Sequence, residues 1–375
     1  MKKHLLLIPL ILLCFFMGGC FDMAEVSQQI YVIAIGMDKS ESGLEITLKT
    51  INPSSFSSNG TEQEPFKDIV LDMPSLSEAV EKIELSTEKK LNFDNVDVII
   101  LGDGLCRQED FDIRASFDFF FRQLHLRRGA QIAVTEGRVV DFFNDENFNS
   151  ELSTQYLEQL LSLYHKRNSS TGGTALYSVL RTSANNLDFY LVRVEKPKDE
   201  DIAVVGAALF SNGRLVGELT VKELESLCRL SGSRQIGTIE ITQEEYSDAK
   251  GLYFKYENYE TKITPSLIGG LKFSTQINAI CTVSENNNGY FYFTEDRIIR
   301  LQEILAEKIK EEIEALRKNT LDEQNVDAIG YLNLMRLYHN DWWKETEGKD
   351  RMEIIKTAEF NYNVTVTIQR IGQVK

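Results

Sequence analysis

Apolar residues in the first half of the chain follow two distinct periods. Alternating or continuous apolar runs predict strands at residues 30–37, 44–51, 66–71, 95–101 and 130–135. Apolar residues three or four positions apart predict helices at 110–124, 153–164 and 175–183, and one that begins after Ser75 with Glu78 at capping-box spacing. We therefore expect helices packed on a sheet.

The second half follows a charged linker with one proline at residues 195–201. Two apolar runs then flank Asn212-Gly213, which is a strong signal for a β-hairpin. A helix is predicted at 220–230 and a long amphipathic helix at 295–318, with a shorter helix at 328–339. Further strands are predicted at 237–242, 275–283 and 360–368.

These patterns predict an α+β fold with several domains, whose sheets are mostly antiparallel or mixed and are each packed by helices. The predicted order is a signal peptide at 1–19, an N-terminal α/β domain at 20–194, a small middle domain at 202–240 made of the hairpin plus a helix, and a C-terminal α+β domain at 241–375 that contains the long helix 295–318.

The amino terminus has the pattern of a lipoprotein signal peptide. Lys2 and Lys3 precede an apolar run at 5–17, which is shorter than the roughly 20 residues that span a bilayer. The run ends in Met17, Gly18, Gly19 and Cys20, which resemble a bacterial lipobox. We expect cleavage before Cys20 and a diacylglycerol on its thiol, with N-acylation as a further modification, because two acyl chains give a stable anchor. The alternative is an ordinary signal peptide followed by a chance cysteine.

The net charge of the chain excludes some classes of binding partner. It has 41 Lys and Arg against 57 Asp and Glu, a net charge of −16, which becomes −18 once Lys2 and Lys3 leave with the signal peptide. This balance argues against nucleic-acid binding and against a polybasic membrane-binding surface. The 42% apolar content is typical of folded cores, and no later run is long enough to predict a transmembrane helix.

The usual catalytic and metal-binding patterns are absent from the sequence. His125, His165 and His339 have no second histidine at metal-ligand spacing, so we predict no metal site. No nucleophile elbow, P-loop or dinucleotide-binding motif occurs, so we predict no catalytic residue and no enzyme. After Cys20, three cysteines remain without paired spacing, and we expect buried thiols and no cofactor other than the lipid.

Two groups of residues are candidates for partner contacts. Arg122, Arg127 and Arg128 form a basic cluster with His125 in an otherwise acidic chain, which suits an acidic loop or lipid headgroups. The alternative is that these arginines lie at a helix end and a turn, where they donate hydrogen bonds to carbonyls or to nearby carboxylates. Trp342 and Trp343 could anchor a partner, because aromatic residues are enriched at binding hot spots. The alternative is core packing of at least one of them.

Several blocks in order resemble the C subunit of bacterial spore germinant receptors. After the lipobox these are 30–39 with its Gly36-Met37-Asp38-Lys39 ending, Asn52-Pro53, 97–102, 119–128, the hairpin at 205–219, 325–330, 342–344, and Arg370 and Gly372 at the end of the last strand. The sequence departs from the family pattern at Phe21, where Trp is common, and at 92–95, which often contains Gly-His.

The resemblance implies a non-catalytic lipoprotein with several mixed α/β domains. It also implies a complex with two integral membrane subunits at the outer face of the cell membrane, which in spores is the inner spore membrane, and a part in the response to nutrient germinants. It assigns no ligand site. The alternative from a different class is a lipid-anchored solute-binding protein of a transport system, which would need a deep interdomain cleft. A surface enzyme is disfavoured by the missing motifs.

Overall fold

The amino-terminal half of the protein is built on one large sheet. The computed structural model describes residues 28–52, 66–123, 126–143, 151–164, 174–196, 202–230, 238–242, 245–246, 249, 251–287 and 293–370. Nine of the described strands form the first sheet, in the order β3-β2-β1-β5-β6-β7-β8-β9 with β4 paired to the start of β1. They are β1 (Gln29–Lys39), β2 (Leu44–Ile51), β3 (Phe66–Met73), β4 (Lys90–Asn92), β5 (Val98–Gly102), β6 (Gln131–Thr135), β7 (Phe189–Glu195), β8 (Ala203–Ser211) and β9 (Arg214–Leu219).

The middle of this sheet is parallel and its two sides are antiparallel. β1, β5, β6 and β7 run in the same direction, whereas β2 and β3 on one side and β8 and β9 on the other are antiparallel to their neighbours. Every residue of β5 and β6 is buried, as expected for central strands that are covered on both faces. The sequence predicted all of these strands except β4 and β7.

Helices cover both faces of the first sheet. On one face lie α1 (Leu76–Thr87), α2 (Asp103–Cys106), α3 (Ile113–Gln123) and α6 (Leu176–Ala184). On the other lie α4 (Val139–Phe143), α5 (Glu151–Ser162) and α7 (Val221–Leu230). The predicted cap of α1 is present, since Ser75 Oγ accepts the Glu78 N–H at 3.2 Å. The second helix was predicted from residue 110, but α3 begins at Ile113 because the Asp112 carboxylate accepts the Arg114 N–H at 2.8 Å.

The carboxy-terminal half contains a second sheet in the order β10-β11-β12-β13. Its strands are β10 (Thr238–Ile241), β11 (Leu252–Ser266), β12 (Lys272–Asn286) and β13 (Glu359–Arg370). β12 and β13 are parallel, and the other neighbours are antiparallel. The long crossover between β12 and β13 carries α8 (Glu295–Arg317), a π-helical turn (Lys318–Glu323), α9 (Tyr331–Tyr338), α10 (Asn340–Glu345) and α11 (Arg351–Lys356).

The long helix α8 packs one apolar stripe against the second sheet. Leu301, Leu305, Ile309 and Ile313 are fully buried on this stripe, as the helical period predicted. Leu224 and Leu227 of α7 belong to the same core, so the two halves share apolar contacts. None of the described helices combines the length and the apolar composition that are needed to cross a bilayer.

The hairpin that we predicted to open a small middle domain is part of the first sheet. Asn212 and Gly213 adopt positive φ angles of 52° and 82°, as a tight turn between these strands requires. β8 pairs with β7, so the hairpin extends the sheet of the amino-terminal half, and the helix after it lies against α8. Pairing with β8 satisfies the backbone groups that would otherwise be exposed along the edge of β7.

Candidate interaction surface

The predicted anchor lies just before the described chain. Cys20, with Met17, Gly18 and Gly19, falls outside the described residues, so lipid attachment stays a prediction. The first described residue is Gln28, directly before β1. Eight residues in extended conformation reach about 28 Å, because the chain advances at most about 3.5 Å per residue. The surface around the start of β1 is therefore the part of the body nearest to Cys20 along the chain.

Several elements begin or end beside the start of β1, and we call this region the amino edge. Gln29 pairs with Lys90 of β4, and Asn92 Nδ2 donates a hydrogen bond to Gln29 Oε1 at 2.7 Å. β3, β5 and β6 run in the same direction as β1, so their first residues lie at this edge too. The opposite end of the sheet, where these strands finish, is the carboxyl edge.

A groove of about 1180 Å³ lies between α1 and α3 and reaches the amino edge at Lys89 and Lys90. Its apolar lining includes Val80, Phe119 and Leu85, and the Leu85 side chain is 75% exposed. An exposed large aliphatic side chain beside a groove is typical of a surface that meets another molecule. This groove was not predicted, because it forms between two helices that are separate in sequence.

The predicted basic cluster is divided between two places. Arg122 is exposed at the end of α3, lines the groove and donates from Nε to Asp118 Oδ2 at 2.5 Å. Arg127 lies across the amino edge, where it pairs with Asp97 and with Glu158, the latter at 3.1 Å. The structure thus gives Arg122 and Arg127 nearby carboxylates, in line with the alternative that we stated for them.

Arg128 differs from its neighbour. Its side chain is exposed and makes no ion pair with the described residues, while its carbonyl accepts the Tyr177 N–H at 3.1 Å. Of the predicted cluster, Arg128 is therefore the cation best placed to meet a partner. His125 lies outside the described residues.

The two tryptophans are half-buried against the core of the second sheet. The guanidinium of Arg351 lies 3.7 Å from the centre of the Trp343 ring and donates to the Trp343 carbonyl at 2.6 Å. This stacking holds Trp343 between the core and a cation. Both side chains thus have a packing role, and a partner contact at Trp342 or Trp343 stays a prediction.

Asp38, the acid of the Gly-Met-Asp-Lys block, has a structural position at the carboxyl edge. Its buried carboxylate accepts the Val139 N–H at the start of α4. Burial raises the pKa of Asp38 to about 6, although the hydrogen bond from Val139 opposes the shift. A Cβ at Gly102 would lie 1.6 Å from Asp38 Oδ1, so only glycine fits there. The block therefore ties β1 to β5 and to α4.

A buried acid pair joins the two halves. Asp188, just before β7, accepts the Asp327 N–H at 2.8 Å. The Asp327 carboxylate in turn accepts three N–H groups at the start of α9, from Gly330 at 2.8 Å, Tyr331 at 2.9 Å and Leu332 at 2.7 Å. This cap explains why α9 begins at Tyr331 and not at the predicted residue 328. Burial raises the pKa of Asp188 to about 6.

A side-chain amide also joins the two halves, at β9. We call this boundary between the halves, formed by the contacts of Asp188, Asp327 and Gln324, the seam. Gln324 accepts the Glu218 N–H and donates to the Glu218 carbonyl, both at 3.0 Å, and so pairs with β9 as a neighbouring strand would. A Cβ at Gly217 would lie 1.9 Å from Gln324 Oε1, so glycine is needed for this close approach. Sequence patterns gave no signal for this contact.

The candidate metal ligands and the cysteines form no reactive site in the described part of the chain. Among those residues no group of His, Cys, Asp and Glu is arranged to hold a metal ion. Cys106, Cys228 and Cys281 are buried thiols, as the sequence predicted. Burial raises the pKa of Cys281 to about 12, which keeps that thiol protonated and unreactive.

Two family models match the chain, one for each half. The "Spore germination protein N-terminal domain" matches residues 22–196, and "Spore germination B3/ GerAC like, C-terminal" matches residues 205–372. Spore germination protein A3 of Bacillus subtilis (strain 168) is 22% identical over 373 residues, which cover 96% of this chain and 97% of that protein. Spore germination protein KC of the same organism is 22% identical over 117 residues, 30% of this chain and 29% of that protein.

A solved structure has a similar fold. The crystal structure of the GerBC protein matches with a TM-score of 0.59 at 19% identity, over 89% of this chain and 96% of that chain. The likeness in fold therefore extends over most of the chain.

Proposed function

Since the chain belongs to the spore germinant receptor C-subunit family, we propose that it is the lipid-anchored, non-catalytic subunit of a spore germinant receptor. In this role it assembles with two integral membrane subunits and is needed for germination triggered by nutrients. The observation that carries the proposal is the match of both family models, which together extend over nearly the whole chain after Cys20.

The lipid anchor is supported by the amino-terminal sequence. A basic start, a short apolar run and Gly18-Gly19-Cys20 together suit cleavage and acylation, and a diacylglycerol supplies two chains for stable attachment. The acidic body is then held at the outer face of the cell membrane, which in the spore is the inner membrane.

The seam between the halves favours an assembly role over solute binding. A binding protein needs an open cleft lined by converging polar groups. In this protein the polar groups between the halves bind one another: Gln324 pairs with Glu218, and Asp327 is bonded to Asp188 and to the start of α9. The groove lined by α1 and α3 lies instead on the outer surface of the amino-terminal half.

The test is a Cys20→Ala substitution, with Cys106→Ala as the matched control because Cys106 is a buried free thiol. We expect the Cys20 variant to leave the membrane fraction and to abolish nutrient germination, and the control to keep both. A transmembrane anchor fused ahead of residue 21 should restore germination to the Cys20 variant. Full germination by the unanchored protein would refute the proposal.

Assembly has its own test. Detergent extraction of spore membranes followed by affinity capture of this chain should recover two integral membrane proteins in constant proportion. Recovery of neither would contradict the assembly role, even if the lipid anchor is present.

A further inference from the structure

The short connection to Cys20 restricts how the body can lie against a membrane. The start of β1 is about 28 Å or less from the lipid, by the reach of eight residues. β1 itself runs from Gln29 to Lys39, about 33 Å at 3.3 Å per residue, so the turn at Ser42 lies that much farther along the strand. A body tethered this closely at one end of a strand keeps that end near the bilayer.

The charges at the amino edge suit an anionic surface better than those of the protein as a whole. Four exposed cations make no ion pair with the described residues: Lys67, Lys89, Lys90 and Arg128. Two exposed carboxylates at the same edge, Glu88 and Asp94, are likewise without an ion pair there. The unpaired charge at this edge is thus positive, although the chain carries a net charge of −16.

The remaining carboxylates at the amino edge already have partners. Asp97 and Glu158 pair with Arg127, and the Glu84 carboxylate accepts the Leu91 N–H at 3.1 Å. At the carboxyl edge, in contrast, two carboxylates, Glu41 and Asp72, are exposed beside the turn between β1 and β2, against one exposed cation, Lys39. An anionic leaflet attracts the first edge and repels the second.

From the tether and the charges together we propose that the amino edge of the first sheet faces the phospholipid headgroups, while the carboxyl edge points away from the membrane. This rests on the lipid anchor of the proposed function. Lys89 and Lys90 lie next to the headgroup phosphates in this orientation. The groove between α1 and α3 then has one end, at Lys89 and Lys90, at headgroup level, and extends away from the membrane to Leu44 and Pro74 at the carboxyl edge.

Energy transfer to a labelled bilayer tests the orientation. The acylated protein is bound to vesicles that contain anionic lipid and an acceptor dye on the headgroups, and a donor dye is attached at Leu85→Cys or, in a second sample, at Ser42→Cys. Both residues are exposed, whereas Cys106, Cys228 and Cys281 are buried, so labelling is directed to the new thiol. We expect severalfold more efficient transfer from position 85 than from position 42.

Charge variants test the cause. Changing Lys89 and Lys90 together to Glu should reduce the difference between the two positions, whereas changing Lys255 and Lys262 of β11, which are also exposed, should leave it intact. Equal or reversed transfer in the unaltered protein would overturn the orientation, and a difference that the Lys89/Lys90 variant leaves unchanged would overturn the attraction between these lysines and the headgroups as its cause. Flotation of the vesicles separates the two proposals: protein that fails to float refutes the anchor, and protein that floats with the wrong transfer ratio refutes only the orientation.

Discussion

The Asp327 side chain caps α9, and its removal should be among the most destabilising single substitutions in the protein. Asp327→Ala leaves the N–H groups of Gly330, Tyr331 and Leu332 without their acceptor, in a position where the Asp327 side chain is only 3% exposed. A buried donor left without a partner costs about 1–3 kcal/mol. Since the three donors share one cap, we expect a loss of about 4 kcal/mol in the free energy of unfolding, a large part of the total for a typical domain.

Asp350 provides the matched control. It caps α11 in the same way, accepting the Met352 N–H at 3.0 Å and the Glu353 N–H at 3.1 Å, but it is exposed, so water can replace the carboxylate. Asp350→Ala should cost about 1 kcal/mol. Urea unfolding followed by far-UV circular dichroism measures both losses. Similar losses in the two variants would refute the reasoning, because burial is the feature that distinguishes them.

Asp327→Asn separates the charge from the geometry. Gly330 and Tyr331 both donate to Oδ1, whereas Leu332 donates to Oδ2. An amide keeps one acceptor oxygen and presents a donor to the remaining N–H. The Asn variant should therefore fall between the wild type and Asp327→Ala, with faster hydrogen exchange at the Leu332 amide.

Three further outcomes follow from contacts described above. Gly217→Ala should displace Gln324 from both hydrogen bonds to Glu218 and lower the free energy of unfolding by about 2 kcal/mol. The same change in a Gln324→Ala background should lower it much less, which a double-mutant cycle of urea unfolding measures. The pKa of Asp188 is raised from 3.8 to about 6, so the stability that its protonated form contributes is complete below pH 4 and is lost as the pH rises through 6. Over this pH range the free energy of unfolding of the wild type should fall by about 3 kcal/mol more than that of Asp188→Asn, as measured by a pH series of unfolding curves. Arg127→Ala should cost about 1 kcal/mol or less, because its ion pairs are partly exposed, and it should leave co-purification with the membrane subunits unchanged.

The sequence predicted the elements whose burial follows a simple period. β5 and β6 are continuous apolar runs, and α8 has a regular apolar stripe, so their types and approximate bounds could be predicted. β11 was missed although most of its burial alternates, because a register shift between Tyr256 and Asn258 interrupts the period of two. β7 was missed beside the charged linker that follows it.

The seam could not have been predicted from one sequence. Gln324 meets Glu218 across 106 residues, and Asp327 meets Asp188 across 139. Single polar residues of these types are usually exposed, so no local pattern marks them as buried. The separation of Arg122 from Arg127 could not be predicted either, because it depends on where α3 ends relative to β6.

The parallel pairing of β12 with β13 determines which of the two sheets can fold first during synthesis. β13 is the last described element of the chain, yet it completes the second sheet and contributes Val366 to its core. A nascent chain can therefore complete the first sheet long before the second, and until the final residues arrive the inner stripe of α8 lacks one of the strands that cover it. Chains that stop before residue 359 should be retained by chaperones or degraded, whereas substitutions that spare this strand should still mature.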